Sequence, residues 1–120
     1  MKKVLLIEDN DLIRENTAEL LELADYQVLM AENGKLGVEM ALQQTPDIVI
    51  CDIQMPVLDG FGVRHAFNNN PGLAFIPFIF LSAKAEPADI RRGLESGAQG
   101  YLIKPFNESE LLDVIEGHVR

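Results

Sequence analysis

The chain has 120 residues, of which 48% are hydrophobic and 24% charged, a balance typical of one folded domain rather than a disordered or membrane protein. Its formal net charge of −9 disfavours direct binding to nucleic acid, because the phosphate backbone would be repelled. A single cysteine, Cys51, and the lack of an export signal or long apolar run predict one cytoplasmic domain over residues 1–120, without a disulfide, a zinc cluster or a membrane span.

Five short runs of apolar and β-branched residues predict β-strands, at residues 4–7, 26–31, 48–51, 76–81 and 101–103. Four of these runs are continuously apolar, which is typical of strands that are covered on both faces of a sheet. The second run is interrupted by Gln27, and this favours a position at the edge of the sheet.

Helical stretches separate these strands, at about residues 11–24, 34–44, 59–69, 87–96 and 107–119. In the first stretch, Ile13, Thr17, Leu20 and Ala24 recur at helical spacing and predict the buried face of an amphipathic helix. In the fourth stretch, Gly93 lowers the helix propensity by roughly 1 kcal/mol relative to alanine, so we expect a weak helix there.

Strands that alternate with helices over short connections predict parallel strands, and therefore an α/β domain with a doubly wound sheet between two layers of helices. Ligands of such sheets bind beyond the carboxyl ends of the strands. Polar side chains follow four of the predicted strands, namely Glu8, Asp9, Asp52, Ser82 and Lys104. We expect these five residues to lie together on one rim of the sheet.

Each rim residue also has an ordinary structural interpretation when it is considered alone. Glu8 and Asp9 are typical of a helix start, Asp52 of a turn, Ser82 of a cap or loop, and Lys104 of a solvated surface. Together they pose an electrostatic problem, because carboxylates about 5 Å apart repel each other by roughly 3 kcal/mol per pair at an effective dielectric of about 20. Lys104 supplies only one positive charge, so either one carboxylate is protonated or a cation binds there.

Carboxylate and carbonyl oxygens are the ligands that Mg²⁺ prefers in proteins. Asp9 and Asp52 are the candidate direct ligands, together with the backbone carbonyl of Gln54, and Glu8 is expected to act through a water molecule. The sequence therefore predicts a magnesium site on the rim.

A phosphoryl group fits the remaining chemistry of the rim. Asp52 would attack phosphorus in line, Mg²⁺ and Lys104 would neutralise the phosphoryl oxygens, and Ser82 would donate a hydrogen bond to one of them. Phosphoryl transfer to Asp52 is therefore the predicted reaction.

Four motifs give the chain a resemblance to response-regulator receiver domains: EDN at residues 8–10, DIQMPVLDG at 52–60, LSA at 81–83 and YLIKPF at 101–106. They occur in the expected order on the expected strands, and the likeness runs from Lys2 through the last helix. The combination is specific, although no single motif within it would be.

The resemblance implies a flavodoxin-like sheet of five parallel strands in the order 2-1-3-4-5, with five helices. It implies that Asp52 accepts a phosphoryl group from a phosphohistidine of a sensor histidine kinase or a histidine phosphotransfer protein, with Mg²⁺ as the cofactor. It also implies a cis peptide bond between Lys104 and Pro105.

A conformational switch is the further implication of the resemblance. In such domains the hydroxyl at the position of Ser82 and the aromatic ring at that of Tyr101 move on phosphorylation, and they reshape the surface of the fourth helix, fifth strand and fifth helix. This surface is expected to bind a partner or to form a homodimer. Gln54 and Lys84, two residues after Asp52 and Ser82, are expected to tune loss of the phosphoryl group.

Three other functions agree with parts of the pattern. A phosphohydrolase with an aspartyl nucleophile usually has a second acid two residues after the nucleophile, where this chain has Gln54. A phosphate-independent pseudo-receiver scaffold normally lacks an acidic or acceptor residue, and none is missing here. A flavin-binding module needs hydroxyls and glycines after the first strand, where this chain has Glu8 and Asp9. These differences favour a phosphorylation switch.

Overall fold

The structure is a computed structural model and describes residues 1–119, so Arg120, the last residue of the predicted domain, lies outside it. Strands and helices alternate along the chain in the order β1 (Lys3–Ile7), α1 (Asp11–Leu23), β2 (Gln27–Ala31), α2 (Gly34–Gln43), β3 (Ile48–Asp52), α3 (Gly60–Asn68), β4 (Phe78–Ser82), α4 (Pro87–Glu95), β5 (Gly100–Ile103) and α5 (Glu108–Glu116). Each predicted strand and helix is present, with boundaries that differ by up to three residues, the most at the end of α5. None of the helices described is long and apolar enough to cross a membrane.

The five strands form one parallel sheet in the order β2-β1-β3-β4-β5. This confirms the flavodoxin-like, doubly wound fold, and it confirms that β2 is an edge strand. Because all strands run in the same direction, their carboxyl ends share one rim, with β1 and β3 adjacent at its centre.

Successive residues of each central strand point to opposite faces of the sheet, so two separate hydrophobic cores form. Leu5, Val49 and Phe80 belong to the core that is covered by α2 and α3. Leu6 and Ile50 belong to the other core, which is covered by α1 and α5. The continuously apolar strands are therefore buried on both faces, as their sequences predict.

The buried face of α1 is rotated from the predicted one. Its fully buried residues are Thr17, Ala18 and Leu21, whereas Ile13 and Leu20 are only half-buried. Apolar residues also occur on the exposed side of this helix, where Leu12 is 67% exposed. Helical spacing alone therefore does not define how α1 is rotated about its axis, and its packing against the sheet does.

Helix α4 is anchored more lightly than the other helices of the described chain. Its one buried residue is Gly93, and Pro87 occupies its first turn after Glu86, whose side chain makes no capping hydrogen bond. The other four helices begin with side-chain caps, from Asn10, Asn33, Asp59 and Asn107, the last within a capping box. An uncapped helix with little buried area is the element that can shift most easily.

Candidate functional site

The sheet itself fixes the backbone of the rim. Asp52 and Ser82 are the last residues of β3 and β4. The amide of Glu8 donates to the carbonyl of Ala31 at 3.1 Å, and the amide of Lys104 donates to the carbonyl of Ser82 at 2.8 Å. Both bonds extend the strand pairing by one residue, so each rim side chain starts from a rigid backbone.

One lysine pairs with two of the three carboxylates on this rim. The Nζ atom of Lys104 lies 2.6 Å from Oε1 of Glu8 and 3.2 Å from Oδ1 of Asp52. Glu8 and Asp52 are buried, Asp9 is exposed, and carboxylate oxygens of the three lie within 4.8 Å of one another. The structure thus brings together the acids that the strand ends suggested, and negative charge remains in excess.

Burial and this excess of negative charge change the titration of the site. Burial, followed by the charge of Glu8, raises the pKa of Asp52 from 3.8 to about 7, although Lys104 opposes the shift. Burial alone would lower the pKa of Lys104, but its hydrogen bond to Glu8 and the charge of Asp52 outweigh this and raise it. Near neutral pH the site therefore holds a proton readily, and a small divalent cation would restore the ionised carboxylate. The hard oxygen donors present fit such a cation.

Glycine is required where α3 approaches Asp52. A Cβ atom at Gly60 would lie 2.5 Å from the carbonyl oxygen of Asp52, and the amide of Gly60 donates to the carbonyl of Ile53 at 2.8 Å. Asp59 caps α3 by accepting from the amide of Gly62 at 2.8 Å. The sequence alone does not indicate that Gly60 must be glycine, because the close contact that excludes a side chain exists only in the folded chain.

The hydroxyls of Ser82 and Tyr101 meet at one residue, Lys84. The amide of Lys84 donates to Oγ of Ser82 at 3.0 Å, and the hydroxyl of Tyr101 donates to the carbonyl of Lys84 at 2.8 Å. A Cβ atom at Gly93 would lie 2.9 Å from the Tyr101 ring. Gly93, expected to weaken α4, thus also gives the ring its space.

The remaining predicted residues lie around this centre. Gln54 and Lys84 are exposed in the loops that follow β3 and β4. The peptide bond between Lys104 and Pro105 is cis. Asn10 caps α1 by accepting from the amide of Ile13 at 2.9 Å. Asn10, and not Glu8 or Asp9, is therefore the N-cap of this helix, although Oε2 of Glu8 accepts from the amide of Asn10 at 3.3 Å.

Comparison with known sequences identifies relatives over nearly the whole chain. Residues 4–116 match the family model of the response regulator receiver domain. Protein PilH of Pseudomonas aeruginosa is 36% identical over 115 residues, which cover 96% of this chain and 95% of PilH. The DNA-binding dual master transcriptional regulator RpaA of Synechocystis is 34% identical over 120 residues, all of this chain but 50% of RpaA. The chain spans about half or less of the length of several curated relatives.

Solved structures with the same architecture include chemotaxis protein CheY4 of Vibrio cholerae, with a TM-score of 0.94 and 32% identity over 99% of both chains. The receiver domain of the sensor histidine kinase PA1611 from Pseudomonas aeruginosa has a TM-score of 0.90 and 29% identity, over 98% of this chain and 96% of that one. It is described with a magnesium ion coordinated in its active site cleft.

Proposed function

Because the chain belongs to the response regulator receiver family, whose members are signalling switches of two-component systems, we propose that it accepts a phosphoryl group on Asp52. The observation that carries this proposal is the buried Asp52 carboxylate at the end of β3, between Glu8, Asp9 and Lys104. A buried acid in that setting is arranged for ligand chemistry rather than for stability. Residues 1–120 would form this single receiver domain.

The proposed cofactor is Mg²⁺. Asp9 and Asp52 would hold it through their carboxylates, Gln54 through its backbone carbonyl and Glu8 through water. The close approach of the three carboxylates within 4.8 Å supports this donor set, since their mutual repulsion leaves a site that attracts cations. When bound, the ion supplies positive charge that keeps Asp52 ionised and offsets the charge of the phosphoryl oxygens.

Asp52 supplies the attacking oxygen. A bond forms between this oxygen and phosphorus while the bond from phosphorus to the donor histidine nitrogen breaks, and the departing imidazole takes a proton from solvent. Lys104, 3.2 Å from Oδ1 of Asp52, is placed to neutralise a phosphoryl oxygen there. Ser82 accepts a hydrogen bond through Oγ and keeps its own proton, which it can donate to the phosphoryl group.

The proposed output is a shift of α4 and the surfaces beside it. If Ser82 turned towards a phosphoryl group, its hydrogen bond from the Lys84 amide would be strained, and the Lys84 carbonyl that holds Tyr101 would be affected too. The light anchoring of α4 supports this route. The α4-β5-α5 face exposes Leu94 and Ile103, at 45% and 38%, and we assign partner binding or homodimer formation to it.

The same proposal names partners and the loss of the signal. The phosphoryl donor would be a phosphohistidine of a sensor histidine kinase or histidine phosphotransfer protein, which implies a cytoplasmic location. Gln54 and Lys84 would tune hydrolysis of the acyl phosphate, because both are exposed on loops that border Asp52. The domain would thereby catalyse its own phosphoryl transfer and loss, without turnover of another substrate.

Incubation with acetyl phosphate, with and without Mg²⁺, tests the proposal. We expect intact mass spectrometry to show a Mg²⁺-dependent gain of one phosphoryl group in the wild type and none in Asp52→Asn. Asp113→Asn, on the exposed side of α5, is the matched control and should be phosphorylated normally. A phosphoryl gain that persists in Asp52→Asn, or that needs no divalent cation, would contradict the assignment.

A further inference from the structure

Arg14, in the first turn of α1, ties the helix to the end of β1. Its Nη1 donates to the backbone carbonyl of Glu8 at 2.8 Å, and its Nη2 pairs with Oδ1 of Asp11 at 2.6 Å. The Arg14 side chain is 13% exposed, so its guanidinium is mostly enclosed. No motif in the sequence pointed to this residue, because its partner is a carbonyl oxygen rather than a side chain.

The carbonyl that Arg14 holds belongs to the peptide unit between Glu8 and Asp9. The amide of Glu8 is fixed by the sheet through its bond to Ala31 at 3.1 Å. The next peptide has left the strand, and rotation about it would swing the carboxylate of Asp9 away from Asp52. Among residues 1–119, the Asp9 carboxylate has no hydrogen bond or ion pair of its own, so its place depends on the backbone.

We propose that Arg14 is a positioning residue for the metal site, one that locks the Glu8–Asp9 peptide and thereby holds Asp9 in reach of the cation. This inference rests on the proposed Mg²⁺ binding. The charge of Arg14 is directed to Asp11 and to a neutral carbonyl, and it makes no ion pair with the three rim carboxylates. Arg14 therefore orders the ligands without cancelling the negative charge that attracts the metal.

Titration of the metal-free full chain with MgCl₂, followed by calorimetry, tests the role of Arg14. Arg14→Met keeps the apolar stem and removes every donor, and we expect it to weaken Mg²⁺ binding by about tenfold, as loss of an outer-sphere partner does. Arg14→Lys restores one donor and should recover part of the affinity. Asp11→Asn, the matched control, leaves the bond to Glu8 intact and should stay within about twofold of the wild type, because an exposed ion pair contributes little.

The direction of the Arg14→Met effect separates positioning from simple electrostatics. Removing a positive charge near the site would by itself tighten Mg²⁺ binding, whereas loss of positioning weakens it. At saturating Mg²⁺ the variant should reach the wild-type yield of acyl phosphate from acetyl phosphate, and at limiting Mg²⁺ it should fall behind. Both proteins are compared well below their unfolding transitions, where a variant that is only less stable keeps the Mg²⁺ affinity of the wild type.

Each outcome of the titration has a distinct meaning. If the wild type does not bind Mg²⁺, the proposed function fails. If the wild type binds and Arg14→Met binds equally well or more tightly, the role of Arg14 is wrong while the proposed function stands. Should Arg14→Met not fold, Arg14→Gln decides in its place, because it is polar but too short to reach the Glu8 carbonyl, and unchanged affinity in it would overturn the inference.

Discussion

Asp52 and Arg64 are both buried charges, 6% and 2% exposed, but they lie at opposite ends of the sheet. Asp52 ends β3 on the carboxyl rim, beside another buried acid, Glu8, and one lysine. Arg64 lies in α3, with its Cζ atom 5.0 Å from the ring centre of Phe78, the first residue of β4. Asp52 meets a like charge as well as an opposite one, whereas Arg64 meets neutral groups.

The surroundings of Arg64 are those of a structural brace. Its Nε donates to Oδ1 of Asn68 at 3.0 Å, and Nδ2 of Asn68 donates to the carbonyl of Ser96 at 3.0 Å. Burial lowers the pKa of Arg64, and its Nη1 has no hydrogen-bond partner among the residues described. The guanidinium thus packs α3 against β4 through the Phe78 ring and orients Asn68, whose amide joins α3 to the turn before β5.

The two ends differ in what could relieve the burial of charge. Burying a charge is unfavourable unless other groups compensate for it. At the amino end the partners of the charge are permanent, since Phe78 and Asn68 belong to the core and to α3, and they leave Nη1 of Arg64 without a hydrogen bond among the residues described. At the rim the carboxylates repel each other, and a proton or a cation can relieve that repulsion, as can a phosphoryl group with its metal under the proposed function. Repulsion that a ligand can relieve is what makes the rim responsive.

Truncation of the brace should give the largest effect on stability. Arg64→Ala removes the contact with Phe78 and leaves a cavity, so we expect the free energy of unfolding to fall by about 3 kcal/mol, measured by urea denaturation. Arg64→Met is the control, because it fills the space and removes the unpaired Nη1. It should lose less than about 1 kcal/mol. If both variants lost the same unfolding free energy, the charge of Arg64, and not its packing, would be what stabilises α3.

Neutralising Asp52 should raise the free energy of unfolding, and the size of this gain should depend on pH. The pKa of Asp52 is about 7 in the folded state and near 3.8 when unfolded, so ionisation destabilises the metal-free fold increasingly as pH rises from about 4 to about 7. Asp52→Asn should therefore exceed the wild type in unfolding free energy by about 2 kcal/mol at pH 7.5 in chelator, and by little at pH 4.

Mg²⁺ provides the control for that difference. Adding it should stabilise the wild type and leave Asp52→Asn nearly unchanged, because binding to the folded state alone shifts the unfolding equilibrium. A stability difference between the two proteins that is independent of pH would contradict the raised pKa of Asp52. If Mg²⁺ did not alter this difference in stability, a bound cation would not be what relieves the repulsion at the rim.

The rim was more predictable from sequence than the brace. Strand ends are visible as the limits of apolar runs, and parallel strands bring those ends together, so Asp52 and Lys104 could be placed without a structure. Arg64 could not, because an arginine beside Val63 in an amphipathic helix is ordinarily solvated, and its burial depends on the fit of α3 against Phe78. Spacing likewise located the buried face of α1 only approximately, because Thr17 is buried as expected but Ala18 and Leu21 complete the buried set, and the neighbours of a helix set its rotation.

Backbone strain in the loop after β3 should give the smallest effect on stability, and it tests another difference between the carboxyl rim and the amino end of the sheet. Val57, in the loop between β3 and α3, has a φ of 72°, and the amide of Leu58 donates to the carbonyl of Pro56 at 2.8 Å across it. Left-handed backbone is unfavourable for a β-branched residue, and Val57 is 75% exposed, so packing does little to offset the strain. The rim loop thus stores strain as well as charge.

Val57→Asn should raise the free energy of unfolding by about 1 kcal/mol, because asparagine tolerates this conformation. Val57→Ala is the control and should change stability less, since its Cβ atom keeps the same clash. Urea denaturation of both variants measures the effect, and a loss of stability in Val57→Asn would contradict it. Parallel Mg²⁺ titrations decide whether the strain at Val57 contributes to the metal site. If Val57→Asn keeps the wild-type affinity, charge alone distinguishes the rim from the surroundings of Arg64. If its affinity is weaker, the conformation of the loop distinguishes them as well.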